Sequence, residues 1–252
     1  MKNQKMTNII DFKDVSTKYS KKRPILNNIN LTIQKGQMVA IIGASGAGKS
    51  TLFKLIVGAL NYDGDIKIFD QDLSKIKKTR KQKLIQKIGF LTQKANLISS
   101  ESVYQNVAKS QTNYKNWFFK VFGLLTKIQK IEIFEKLNQL GILDKAFYRV
   151  SDLSGGQQQR VELAKLLIKK CELILADEPT SNLDEETAKI VLKILRNLAN
   201  KGKTVLVNIH DLDSIKENFD RVIAIKNTKI LFDMETKEIE TWQLKQAVKI
   251  EK

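Results

Sequence analysis

One stretch, Gly43-Ala44-Ser45-Gly46-Ala47-Gly48-Lys49-Ser50-Thr51, restricts what this chain can become more than any other. It satisfies G-x-x-x-x-G-K-[ST], the pattern of a loop that wraps phosphate with backbone N–H groups. Its flanks are those the pattern needs. Met38-Val39-Ala40-Ile41-Ile42 is an apolar run of strand length, and Leu52-Phe53-Lys54-Leu55-Ile56-Val57 continues at helical spacing until Gly58. Gly43, Gly46 and Gly48 allow close backbone approach, so successive N–H groups converge on an anion at a helix N-terminus. Lys49 is placed to reach the outer phosphates of a nucleotide, and Ser50 to offer its hydroxyl to Mg²⁺. Strand, loop and helix in that order predict an α/β core.

Open α/β sheets keep their chemistry at the carboxyl ends of the strands, and three more runs end in chemical side chains. Leu173-Ile174-Leu175-Ala176 reads as a buried parallel strand and ends in Asp177-Glu178-Pro179. Asp177 can hold Mg²⁺ through water, and Glu178 can take a proton from an attacking water. Thr204-Val205-Leu206-Val207-Asn208-Ile209 runs into His210, whose imidazole can hydrogen-bond a terminal phosphate or that water. Ile88-Gly89-Phe90-Leu91-Thr92 ends at Gln93, which on spacing alone is a surface glutamine and could also ligate Mg²⁺.

A second anion site is written at Leu153-Ser154-Gly155-Gly156-Gln157-Gln158-Gln159-Arg160. Ser154 followed by Gln157 is a capping-box pattern, so a helix starts here with two glycines at its positive end. The first loop already serves one nucleotide. The surplus site hints at a partner subunit.

Around these motifs, Ile9 to Val15 and Ile29 to Ile33 read as antiparallel strands, and Asp65 to Phe69 as another. Tyr19, on a loop ahead of the phosphate site, either stacks on a base or packs. Lys75 to Lys87 reads as an amphipathic helix showing lysines to water. From Ser99 to Ser151 helical spacing takes over, which predicts an inserted helical subdomain. Within it, Trp117, Phe118, Val121, Phe122 and Leu125 share one helical face, expected as a buried helix, with an exposed patch meeting a partner or membrane as the alternative. Strands at Arg221 to Ile225 and Lys229 to Phe232 close the sheet, and the tail with Trp242 and Leu244 forms a short helix.

The net charge of +17 comes from lysine spread along the whole chain, which favours a solvated basic surface over a nucleic-acid patch. No apolar run approaches the roughly 18 residues that span a bilayer, and the first residues lead into no signal-peptide core. Cys171 is the only cysteine and reads as a small buried filler.

Taken together, these motifs resemble the ATP-binding subunit of an ABC transporter over about residues 8 to 235. The resemblance implies a P-loop NTPase, RecA-like core with an N-terminal antiparallel β subdomain and an inserted α-helical subdomain. The core would comprise about residues 8–93 and 154–235, the helical part about 94–153, and the tail 236–252. It also implies ATP and Mg²⁺, with Gly43 to Ser50 as Walker A and Thr51 beside it in the nucleotide site, Leu173 to Asp177 as Walker B, Glu178 as catalytic glutamate, His210 as switch histidine, Gln93 as the Q-loop glutamine and Tyr19 as the adenine-stacking aromatic. Ser154, Gly155, Gly156 and Gln157 would complete a second copy's nucleotide site in a head-to-tail dimer. Asp184 lies in a segment similar to the D-loop, where Asn182 replaces a commoner small residue. The Gly141 to Arg149 run, the aromatic insertion, Val207-Asn208-Ile209-His210 and the short tail are similar to the phosphonate-importer type. That implies peripheral attachment to the cytoplasmic face of the membrane, a separate permease, and a solute-binding protein. Lipoprotein release, export or cell-division signalling is the alternative; a nucleic-acid partner is not expected.

Overall fold

The computed structural model describes residues 7–18, 24–93, 95–112, 114–181 and 183–249. Two sheets organise it. Strands β1 (Asn8–Thr17), β2 (Leu26–Gln34), β4 (Asp63–Ile68) and β5 (Gln71–Asp72) form an antiparallel sheet in the order β2-β1-β4-β5. The second sheet contains β3 (Met38–Ile42), β6 (Ile88–Thr92), β7 (Leu173–Asp177), β8 (Thr204–Asn208), β9 (Arg221–Lys226) and β10 (Lys229–Glu235). Its order is β10-β9-β3-β8-β7-β6, parallel throughout except for β10 at one edge.

The period-two rule of a strand explains why the central strands are apolar without interruption. Along β3, Val39 and Ile41 face one core while Met38, Ala40 and Ile42 face the other. The same alternation recurs in β7, where Leu173 and Leu175 oppose Ile174 and Ala176. The first core joins this sheet to the inner face of the antiparallel sheet (Ile10, Phe12, Ile29, Ile33) and to helix α1 (Lys49–Ile56) through Leu52, Leu55 and Ile56. The second core lies on the opposite face.

That opposite face is covered by α6 (Gly155–Lys169), α7 (Glu185–Asn200) and α9 (Thr241–Val248), with α8 (Ile215–Asn218) beside α7. Outside the parallel sheet, α3 (Val103–Ala108) and α5 (Lys127–Gln139) pack on α6. The lysine-rich α2 (Lys78–Gln86) buries only Leu84 and leads into β6, as its composition predicts. Cys171 is buried, as expected of a filler.

The sequence expectation fails at the aromatic insertion. Helix α4 is only Trp117–Val121, and Trp117, Phe118, Val121 and Phe122 are exposed rather than buried. Of the five positions on the expected face, only Leu125 packs against the core. The amide of Leu124 donates to the Phe119 carbonyl, 2.8 Å, and Gly123, at φ 63°, turns the chain before a long face can form. Apolar spacing alone does not say whether a face has anything to pack on.

Candidate functional site

The phosphate loop sits between β3 and α1, at the carboxyl end of the central strand. Two of its glycines are required by space. A Cβ at Gly43 would lie 2.3 Å from the Ile225 carbonyl oxygen, and one at Gly48 would lie 2.7 Å from Leu26 Cδ2. Gly48 also caps α1 at φ 106°, a left-handed conformation costly for any other residue. The loop thus rests on β9 and β2. A cavity of about 310 Å³ opens beside it, walled by Ala44, Ser45, Gly46, Ala47 and Ile25.

Lys49 is buried, and its ammonium donates to the carbonyls of Gly43 (2.8 Å) and Ala44 (3.1 Å). Burial pushes its pKa down, while the charges of Glu178 and Asp177 oppose that shift. A buried cation held only by neutral carbonyls is under-compensated, so an anion with several oxygens fits the loop.

Sheet order brings the other motifs to this loop. Strand β8 lies between β3 and β7, and Asn208 is the register partner of Asp177. Ser50 Oγ donates to Asp177 Oδ1 at 3.2 Å, and Asn208 Nδ2 donates to the same oxygen at 2.5 Å. Asn208 is fully buried, and its own Oδ1 has no hydrogen-bond partner among the described residues. The sequence names this asparagine only within the Val207 to His210 run and gives it no role at the site, although a polar residue closing an otherwise apolar strand is a signal that could have found it. Gln93 follows Thr92, which is the partner of Asp177 on the other side, and is itself exposed. The serine hydroxyl, carboxylate and amide oxygens are hard donors suited to Mg²⁺, which keeps water and substrate oxygens in its shell. Among the described residues no group of three or more His, Cys, Asp or Glu could hold a metal ion.

Glu178 continues from Asp177 with φ 51°, unusual for a residue with a side chain and costing about 1–3 kcal/mol. The surroundings hold it there. Its amide donates to the Asn208 carbonyl at 3.1 Å, and its carbonyl accepts from Ser181 N and Oγ. This turn points the carboxylate at His210, with Oε1 and Nε2 2.7 Å apart. The pair can therefore hold and move a proton.

The second anion motif forms as its spacing predicts. Ser154 caps α6, its hydroxyl accepting from Gln157 N (3.3 Å) while Gln157 Oε1 accepts from Ser154 N (2.9 Å). Arg160 donates to the Leu140 carbonyl, and buried Gln159 donates to the Pro179 carbonyl at 3.1 Å, tying this helix to the turn after Glu178. Yet among the described residues no hydrogen bond joins Ser154 to Gln157 with the phosphate loop, and Ser154 and Gly155 are exposed. The two motifs do not share a site within one chain. Asp184 caps α7 with both oxygens, accepting from Thr187 N (2.9 Å) and Oγ1 (2.8 Å). Tyr19 and Asn182 lie outside the described residues.

Comparison with known proteins matches this geometry. Residues 26–181 match the family described as ABC transporter. The phosphonates import ATP-binding protein PhnC of Lactococcus lactis subsp. cremoris is 40% identical over 233 residues, 92% of this chain and 95% of that protein. Among solved structures, cbiO1 from Clostridium perfringens, part of the ABC transporter complex cbiONQ, superposes with a TM-score of 0.78 at 28% identity, covering 92% of this chain and 90% of that one. The ATP-binding cassette MJ0796, in a dimeric post-hydrolysis state bound to ADP and Pi, gives 0.77 at 29% identity, covering 91% and 100%. With residues 26–181 matching the family and relatives covering most of its length, the chain belongs to the ABC transporter family as an ATP-binding, ATP-hydrolysing subunit.

Proposed function

We propose that this chain powers the import of phosphonates, or closely related organophosphates, through a separate membrane permease. The observation that carries the reading is the meeting of Lys49, Ser50, Asp177, Glu178 and His210 at the ends of adjacent strands. The relative that imports phosphonates supports the cargo. No helix among the described residues is long and apolar enough to cross a membrane. We read the chain as held at the cytoplasmic face by a permease, with a solute-binding protein supplying cargo.

Two copies assemble head to tail, each Ser154-Gly155-Gly156 closing on the other's Gly43 to Thr51. The dimeric relative bound to ADP and Pi and the unpaired second motif support this arrangement. ATP is then the contact that distinguishes closed from open. Lys49 meets the β- and γ-phosphates, and Gly43 to Thr51 wrap them with N–H groups. Ser50, Asp177 and Gln93 would hold Mg²⁺, which would supply charge neutralisation at the phosphates. Glu178 accepts the proton of the attacking water as its oxygen bonds to the γ-phosphorus and ADP leaves. His210 orients Glu178 and the terminal phosphate, Asp184 lies at the facing surface, and Tyr19 stacks on adenine. The division proposed from the sequence, about residues 8–93 and 154–235 as core, 94–153 helical and 236–252 as tail, suits this work. The core then carries both the phosphate loop and the motif that closes on the other copy, while the helical part packs on the helix that presents that motif.

The test is reconstitution of the chain with its permease in vesicles. ATP hydrolysis should rise when binding protein loaded with an alkylphosphonate is added, and stay flat with an unrelated solute such as maltose. Equal stimulation by both, or none, sinks the cargo assignment.

A further inference from the structure

The chain between Lys115 and Ile131 shows apolar side chains to solvent. Trp117 is 74% exposed, Phe122 62% and Ile128 79%, and Phe118 and Val121 are exposed with them. The rings form a continuous run: Phe118 lies 6.5 Å from Trp117 and 4.5 Å from Phe122, centroid to centroid. At five residues, α4 is too short to be stable without something to lie on. An apolar surface of this kind marks a contact.

The charges around the patch decide what it contacts. From residue 113 to residue 131 the sequence holds Lys115, Lys120, Lys127 and Lys130 and no acid. Lys115, Lys127 and Lys130 are exposed and enter no ion pair among the described residues, while Glu132, the next acid, pairs with Lys170 at 3.1 Å. Lys115 lies over the Phe119 ring at 5.8 Å. The buried centres of protein interfaces are poor in lysine, and a second copy of this chain would bring the same net charge of +17 to a basic patch. Aromatic rings interleaved with lysines, with no acid among them, match an anionic bilayer surface, where rings settle at the headgroup boundary and ammonium groups meet phosphates. We infer that residues 115–131 are an interfacial anchor that lays Trp117, Phe118 and Phe122 on anionic lipid headgroups. The chain then holds the membrane directly, independently of which cargo it serves.

Full-length chain carrying Trp242→Phe, which leaves Trp117 as the only indole, is mixed with phosphatidylcholine vesicles and with equimolar phosphatidylcholine–phosphatidylglycerol vesicles. Trp117 emission should shift to the blue with the anionic vesicles alone. Phe118→Ser with Phe122→Ser should weaken binding about tenfold or more, and Lys127→Gln with Lys130→Gln about fivefold per charge. Lys77→Gln with Lys78→Gln, near the start of α2, should cost less than the Lys127 and Lys130 pair. ATP hydrolysis without lipid stays at its parent value in each variant, which verifies folding. An unshifted emission overturns the inference. So does vesicle binding that survives loss of Phe118 and Phe122, because net charge alone would then explain it. Loss of permease co-purification in that double variant, with vesicle binding intact, assigns the patch to protein and overturns it too.

Discussion

Helix α1 follows a glycine cap and α6 opens on two glycines, and both offer N–H groups at a positive end, but their surroundings are opposite. At α1 the loop rests against Ile225 and Leu26, Lys49 is buried, and Ser50 is tied to Asp177 across β8. At α6 the polar groups of Ser154 and Gln157 turn on each other, and a Cβ at Gly155 would meet nothing within 4 Å. One end is pre-organised by its own chain. The other is held by its capping box and left open, as the proposed head-to-tail assembly requires.

The largest test of the first end is Glu178→Gln. The amide keeps the shape but cannot accept a proton, so hydrolysis should fall about 10²- to 10⁴-fold while ATP binding persists and a dimer accumulates on size exclusion. Turnover at the parent rate would remove Glu178 from its role. Gly156→Asp probes the open end by placing a carboxylate where phosphate is expected. Hydrolysis should drop about 10²- to 10³-fold, while ATP binding to dilute, monomeric chain is unchanged. If monomer binding also collapses, the two ends are not separable and the comparison is broken.

Lys49→Ala should weaken ATP binding by about one to two orders of magnitude, since each charge-assisted bond to phosphate contributes about 1.5–3 kcal/mol. Equilibrium titration with a fluorescent ATP analogue measures it. Asn208→Ala removes the donor that fixes Asp177 Oδ1, and should raise the Mg²⁺ concentration needed for half-maximal hydrolysis about tenfold, with less effect at saturating Mg²⁺. An unchanged Mg²⁺ dependence would make this asparagine merely a packing residue.

The smallest effect concerns Asp184. The Thr187 amide, then the Thr187 hydroxyl, hold its carboxyl below the ordinary 3.8. A depressed folded-state pKa contributes stability above the unfolded value and loses it as pH falls through the folded one. Asp184→Asn should therefore lower the urea midpoint slightly at neutral pH, and the gap to the parent should close in acid. A gap that persists unchanged in acid would show that the cap does not depend on charge.

Several parts of the site could be read directly because their signals are local. The capping box at Ser154 needs only residues three apart, and strand β7 announces itself by an apolar run ending in acids. Identical boxes at Ser102–Gln105 and Thr126–Gln129 start α3 and α5 by the same chemistry. Asn208 was missed because its importance depends on standing between β3 and β7, a relation between strands far apart in the chain. The Trp117 to Leu125 face was misread because periodicity measures which residues share a side, not whether a neighbour exists to bury it.

The sequence by itself therefore determined the local chemistry: a loop that binds phosphate, acids at a strand end, a capped helix with glycines at its start. Each follows from backbone geometry and side-chain reach over a few residues. The tertiary structure decided which of these act together. Sheet order β3-β8-β7 carries Ser50 to Asp177 and turns Glu178 onto His210, and among the described residues no hydrogen bond brings Ser154 to that loop. Pairing between distant strands is set by long-range packing, and it is that packing which gathers the groups of the first site and leaves the second motif exposed.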